Sequence, residues 1–251
     1  MGKRTALTET FDIMGTNVGF PARHRVGRSV SLAVLASSAG AAKLLEHPRL
    51  RPATLLPGRT LIIASWFEWA DTPVGPFSQV TFAIPVLRDS RVSVPGVALL
   101  AHTLAGREGK LGFLTHVVAC SNEIGAAYSW DIWAEPSFVA DFVVEDGPHS
   151  VAVQVRGPEG LAVRLEARRL GRTVHDTKGY PLYTYRGERI ISDCMQADGN
   201  GLMRLLPGGG SVQFGEHPRV AGLARAARGR RSVQSGVFDS GDVAFFGPRM
   251  R

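Results

Sequence analysis

The sequence predicts a β-dominated α+β fold, a barrel carrying a few short helices. Three observations predict it. Short segments alternating apolar and polar residues recur along the chain, Gly- and Pro-rich turns separate them, and helix-forming stretches are few. At 251 residues, with 44% hydrophobic and 20% charged residues, the chain can bury a sizeable core. No internal repeat, low-complexity tract or linker divides it, so 1–251 is read as a single domain with 1–20 as an N-terminal arm.

The elements follow in order. Gly15, Gly19 and Pro21 break any period in the arm, which reads as irregular or as a short edge strand. Residues 29–35 (S-V-S-L-A-V-L) alternate as a strand. The next stretch, 36–46, is a short helix capped by Ser37 or Ser38 and ended before Pro48. Residues 60–69 (T-L-I-I-A-S-W-F-E-W) form the strongest strand signal. The turn 71–76 (D-T-P-V-G-P) joins it to a second strand at 77–87, because proline presets φ and glycine tolerates positive φ. Residues 88–111 mix a strand with a short helix, and 111–120 is apolar and strand-like. A short helix is predicted over 122–128, capped by Ser121 or Asn122, with Glu123 in its first turn. Alternating runs at 138–144, 150–156 and 161–169 make a meander, and 180–215 repeats the theme. A final helix at 217–228 and a strand at 237–246 close the chain.

Composition excludes some functions. No apolar run approaches the ~20 residues needed to span a bilayer, and the polar N-terminus lacks the apolar stretch of a secretory signal. A cytoplasmic protein without a membrane partner is expected. Cys120 and Cys194 lie far apart without metal-ligand spacing and read as reduced thiols, Cys120 in the core. The net charge of +7 comes mainly from scattered arginines, with one cluster at Arg225, Arg228, Arg230 and Arg231 and no recognition motif around it, so no nucleic-acid partner is expected. The seven histidines are dispersed, and Gly208-Gly209-Gly210 is not followed by a helix; neither a metal nor a phosphate-bearing cofactor is expected.

The most informative stretch is Trp133-Ala134-Glu135-Pro136-Ser137-Phe138-Val139-Ala140. It resembles the W-G-x-P-K-x-x-A signature of the acetoacetate decarboxylase family. Residues 55–86 are similar to that family's strand, its G-P-Y-x-E turn and the following strand, and Gly215-Glu216-His217-Pro218 is similar to its G-x-H-P close. The resemblance implies a closed, cone-like β-barrel with an apolar cavity, assembled into homo-oligomers. Its departures fall on the chemistry. The imine-forming lysine is replaced by Ser137, the turn's glutamate by Gln79, the signature's glycine by Ala134, and an arginine by Trp130. Lysine occurs only at positions 3, 43, 110 and 178, so imine chemistry requires a displaced amine.

The remaining candidates can serve non-covalent chemistry. Ser137 and Gln79 can hydrogen-bond a substrate carbonyl; His116 can move a proton. Glu123 has a family-like position, although helix capping explains it too. Arg23 and Arg25 lie near where the resemblance places a carboxylate-binding arginine. Trp66, Trp69, Phe77, Trp130 and Trp133 can wall a pocket for a large apolar small-molecule substrate, although tryptophans also serve as core, and strand alternation lets only one of Trp66 and Trp69 face inward. The function expected is a cyclase, isomerase or dehydratase acting on a bulky, polyketide-like carbonyl compound in secondary metabolism. A ligand-binding protein without turnover and a decarboxylase with a displaced amine are the alternatives.

Overall fold

The computed structural model describes residues 10–90, 111–177 and 179–250. Its elements are β1 (Phe11–Ile13), β2 (Thr16–Val18), β3 (Ala22–Ser37), α1 (Ser38–Ala42), β4 (Leu50–Pro52), β5 (Arg59–Asp71), β6 (Phe77–Arg88), β7 (Leu111–Cys120), α2 (Glu123–Trp133), β8 (Ser137–Val139), β9 (Asp141–Asp146), β10 (Ser150–Gly157), β11 (Gly160–Arg168), β12 (Arg172–Asp176), β13 (Gly179–Arg186), β14 (Arg189–Arg204), β15 (Gly210–Phe214), α3 (Pro218–Ala226), β16 (Ala227–Phe245) and β17 (Arg249–Met250).

Seven strands close into a barrel in the order β14, β13, β7, β6, β5, β3, β16, the last pairing back to β14. Closure leaves the ring itself no open edge. A second leaflet, β15-β11-β10-β9, continues from the start of β16 and packs on the outside of the barrel. The register of β16 against β3 shifts between Ala227 and Gln234, which allows one long strand to serve both layers.

Apolar side chains concentrate on the outward face of the barrel strands. Leu32, Ile62, Trp66, Phe82 and Ile84 point into the core shared with the second leaflet and with Val220 and Leu223 of α3. A second core, formed by Ile13, Val18, Trp69, Phe77, Tyr128, Ile132 and Trp133, holds the β1–β2 hairpin and α2 against one end of the barrel.

Several sequence expectations shift. Residues 11–18 of the expected irregular arm form a hairpin, turning at Met14 and Gly15, both with positive φ. The helix expected over 36–46 shortens to α1, capped by Ser37, whose hydroxyl accepts from the Gly40 amide at 3.2 Å. The helix expected over 122–128 runs on to Trp133, because Tyr128, Ile132 and Trp133 are buried on packing, which overrides the weak helix propensity of aromatic residues. Asn122 is its N-cap, accepting from the Gly125 amide at 2.9 Å. The final helix ends at Ala226, so Arg228, Arg230 and Arg231 are exposed residues of β16. Most of the mixed element read over 88–111 lies outside the described residues.

The G-x-H-P close locks α3 to the second leaflet. His217 caps the helix, accepting from the Arg219 amide, and stacks on Phe138 with ring centroids 4.6 Å apart. A Cβ at Gly215 would meet the Leu161 carbonyl oxygen at 1.9 Å, so only glycine fits this approach.

Candidate active site in the barrel interior

The barrel encloses a cavity of about 210 Å³. It exists because the inward faces of three adjacent strands carry small residues: Ser29, Ser31 and Ala33 on β3, Ser65 on β5, Thr81 and Ala83 on β6. A bulge in β7 shapes it further. Phe82 pairs with Val117 and Ala83 with Thr115, which leaves His116 as the extra residue and flips the parity of the strand. Phe113 and Thr115 face the cavity before the bulge; Val118 and Cys120 pack on the α2 side after it.

The polar centre is a chain of donors that ends on a carboxyl. Trp69 Nε1 donates to Gln79 Oε1 at 2.8 Å, and Gln79 Nε2 donates to Ser129 Oγ at 3.1 Å. Ser129 and Thr115 both hydrogen-bond the Glu135 side chain. Glu135 is 9% exposed, and its carboxyl pKa is pushed up to about 7, chiefly by burial and also by the nearby Asp193 charge, against the pull of the two hydroxyls. Asp193 is also raised, again by burial first, although Trp133 Nε1 at 3.0 Å and the Cys194 amide at 2.6 Å donate to it.

The end of α2 aims Glu135. Ala134 adopts φ 53 in the left-handed region, and the Glu135 amide donates back to the Ser129 carbonyl at 3.2 Å. This closure, which spans the seven residues 129–135, ends the helix and turns the following residue into the barrel, with Pro136 blocking continuation. The motif position where the resembled family keeps glycine is thus a backbone turn that favours glycine.

Two further side chains point into the cavity, each with one buried polar atom that lacks a hydrogen-bond partner. Tyr128 is 2% exposed and its hydroxyl lacks a hydrogen bond; burial, with Asp193 and Glu135 adding to it, raises its pKa and keeps it a neutral donor. His24 is also 2% exposed, its Nδ1 lacks a partner, and burial lowers its pKa to about 4, so the ring is neutral near pH 7. Cys120, 3.9 Å from Ser129 Oγ, has its thiol pushed up to about 12 by burial.

Of the residues singled out from sequence, Gln79, Trp69, Phe77 and Trp133 line the cavity. The others lie elsewhere. Arg23 and Arg25 are exposed because β3 alternates, and that same alternation sends His24 between them inward. Trp66 faces the outer core, opposite in parity to Trp69. Trp130 is half exposed, with the Arg186 guanidinium 5.9 Å from its ring. Glu123 is an exposed first-turn residue of α2. His116 does not line the cavity, and its pKa is lowered by burial. Ser137 does not line it either; its hydroxyl donates to the Ala126 carbonyl at 2.8 Å. The amide of Gln79 is already engaged at both ends, so it orders Ser129 rather than waiting for a carbonyl.

Glu135, Ser129, Thr115, Tyr128, His24 and Asp193 were assigned no role from sequence. Glu135 sits inside the recognised motif, and its signal was the helix stop around Ala134-Glu135-Pro136. For His24 it was strand parity. Asp193, on β14, had no local signal.

No family model and no curated protein matches the chain. Solved structures do match it in fold. The enduracididine biosynthesis enzyme MppR, complexed with pyruvate, is 12% identical, covering 93% of this chain and 91% of its own, with a TM-score of 0.63. Acetoacetate decarboxylase from Legionella pneumophila is 12% identical over 92% and 87% of the two chains, TM-score 0.64. An acetoacetate decarboxylase-like enzyme from Sphingomonas wittichii is 13% identical over 98% and 100%, TM-score 0.57. The chain therefore has the acetoacetate decarboxylase-type fold, a closed β-barrel with short helices, as the resemblance in the motifs implied.

Proposed function

We propose that the chain is an enzyme that enolises a carbonyl compound, with Glu135 as both base and acid and no imine, and so acts as a cyclase, isomerase or dehydratase. The observation that carries this reading is the Glu135 carboxyl, held by two hydroxyls inside an aromatic barrel with its pKa near 7. A group titrating near the working pH is suited to taking a proton and returning it.

The Glu135 carboxylate removes a proton from the carbon next to the substrate carbonyl. The Tyr128 hydroxyl, buried and without a partner, donates to the oxygen as it gains charge. The proton now on Glu135 returns to another carbon in an isomerisation or leaves with a hydroxide in a dehydration. In a cyclisation the enolate carbon instead closes on a second carbonyl of the same molecule, and Glu135 protonates the new alkoxide. Trp69, Gln79 and Ser129 keep the carboxyl oriented and supply none of these protons.

Size narrows the substrate. A dry cavity of roughly 150 Å³ holds a benzene-sized ligand, and drug-sized ligands occupy ~300 Å³ or more. At about 210 Å³ the interior takes a group about one substituted ring in size. The bulky substrate expected from the tryptophans fits only if its remainder extends past the cavity edge. A biosynthetic enzyme among proteins of this fold supports a place in secondary metabolism.

The test is the metabolite profile of a host strain carrying Glu135→Gln in place of the native chain. Accumulation of a compound with the mass of the missing product supports a cyclase or isomerase, and one heavier by water a dehydratase. A compound heavier by carbon dioxide would replace the proposal with decarboxylation by a displaced amine. An unchanged profile, matched by a strain lacking the gene, leaves a ligand-binding protein.

A further inference from the structure

Among the described residues that line the cavity, two buried polar atoms lack a hydrogen-bond partner: the Tyr128 hydroxyl and His24 Nδ1. Most polar side chains around them are spent on one another. Trp69, Gln79 and Ser129 form a chain to Glu135, which Thr115 also holds. Asp193 accepts from Trp133 Nε1 and from the Cys194 and Phe246 amides. Thr184 donates to the Trp133 carbonyl, and Ser65 to the Ser31 hydroxyl at 3.0 Å. The unspent hydrogen-bonding capacity of the buried lining is concentrated in the two orphaned atoms.

They stand side by side. His24 comes from β3 and Tyr128 from α2, and their ring centroids are 5.6 Å apart. Trp69 and Phe245 close on the His24 ring at 5.1 and 4.9 Å, and Trp133 meets Tyr128 edge-on at 4.9 Å. Buried polar atoms are nearly always paired, because leaving one bare costs the fold free energy. Phenylalanine at either position would keep a ring in this aromatic wall and leave nothing unpaired. Two bare polar atoms at one spot on that wall mark where the polar end of a ligand binds.

The chemistry of the two atoms sets what that end is. The Tyr128 hydroxyl donates to a carbonyl oxygen. A neutral imidazole nitrogen donates in one tautomer and accepts in the other, and a hydroxyl answers both. Burial keeps both rings neutral near pH 7, His24 against a weaker pull from the Ala22 backbone. A carboxylate would therefore meet no counter-charge in them. Adjacent side chains call for two oxygens close together, as on neighbouring carbons.

The geometry points to an α-hydroxy carbonyl substrate, its carbonyl oxygen on the Tyr128 hydroxyl and its own hydroxyl on His24 Nδ1. This rests on the reading of the barrel interior as the site of enolisation, and adds to it the substrate class and a second residue that selects it. Such a substrate favours isomerisation among the three outcomes. Glu135 takes the proton from the hydroxyl-bearing carbon and returns it to the former carbonyl carbon, while the hydroxyl proton passes to the former carbonyl oxygen. The C–H and O–H bonds broken equal those formed, and no oxidant or second reactant is needed.

Three probes that share a benzoyl group test it by binding: phenacyl alcohol (a hydroxyl beside the carbonyl), propiophenone (a methyl in its place) and phenylglyoxylate (a carboxylate there). Titration calorimetry on the full chain should show phenacyl alcohol bound at least about tenfold more tightly than either of the others, the worth of one buried hydrogen bond. His24→Leu should bind phenacyl alcohol no better than propiophenone and leave propiophenone unaffected. Tyr128→Phe should weaken both alike, since both present the same carbonyl, and should unfold no more readily than the native chain. If His24→Leu misfolds, His24→Phe keeps the ring and carries the same test. Equal binding of propiophenone, tighter binding of phenylglyoxylate, or no binding of any probe overturns the inference. So does a hydroxyl preference that survives replacement of His24, or a Tyr128→Phe chain that is less stable, which would give the hydroxyl a structural role. The enolisation reading fails separately: a hydroxyl preference that depends on His24, with unchanged metabolites in Glu135→Gln, keeps the ligand class and removes the chemistry.

Discussion

Ser137 occupies the position where the resembled motif has its lysine, yet its hydroxyl turns away to the Ala126 carbonyl on α2. Converting it to alanine removes one hydrogen bond and nothing that faces the cavity. Ser137→Ala is expected to keep full turnover and to lose about 1 kcal/mol of stability, read by denaturant unfolding. A large loss of activity with unchanged folding would return the serine to the chemistry. The neighbouring Glu135 is the opposite case: its carboxyl is central and its sequence signal was weak. The motif named the right stretch of chain, because spacing and residue type survive in sequence. It could not say which side chain in that stretch looks inward, because that depends on one left-handed residue, Ala134, which composition does not reveal.

At the scale of elements, α2 is the positioning device, and its closing turn is under strain. Non-glycine residues in the left-handed region cost roughly 1–2 kcal/mol, and Ala134 is such a residue at a helix end that favours glycine. Ala134→Gly relieves that cost and loses only a buried methyl, so a net gain of about 0.5–1 kcal/mol is expected, seen as a raised unfolding midpoint with activity retained. A loss of stability would mean that the methyl's packing outweighs the backbone. Strands were the most legible elements: the chemistry of alternation and turns placed β5, β6 and β7 within two residues of their observed ends. Parity within them was not, since a single bulge at His116 reverses which face each later residue of β7 presents. That reversal takes His116, a plausible proton carrier by type, out of the cavity and leaves Thr115 beside Glu135.

For the whole molecule, the barrel interior sets how stability responds to pH, through two groups that act in opposite directions. Glu135 has its pKa raised from 4.5 to about 7 in the folded state, so folded chains hold a proton that unfolded chains lose, and stability falls as pH rises across that interval. His24 has its pKa lowered from 6.5 to about 4, so unfolded chains take up a proton that folded chains refuse, and stability rises as pH climbs from about 4 to 6.5. Neither contribution could be read from sequence, where one is a motif spacer and the other sits between two arginines; both come from strands and a turn that converge on one space. Across their shared range the two slopes offset, and removing either exposes the other. Glu135→Gln should therefore grow more stable from about pH 4.5 to about pH 6.5 relative to its own acid value, and should exceed the native chain at about pH 8 by up to about 3 kcal/mol. His24→Leu should show the reverse trend, losing stability from about pH 4.5 to about pH 7. Thermal unfolding of the three proteins across this range checks both signs at once, because each variant is compared with the same background of surface carboxylates. Parallel profiles in all three would show that neither group is as buried as the closed barrel makes it.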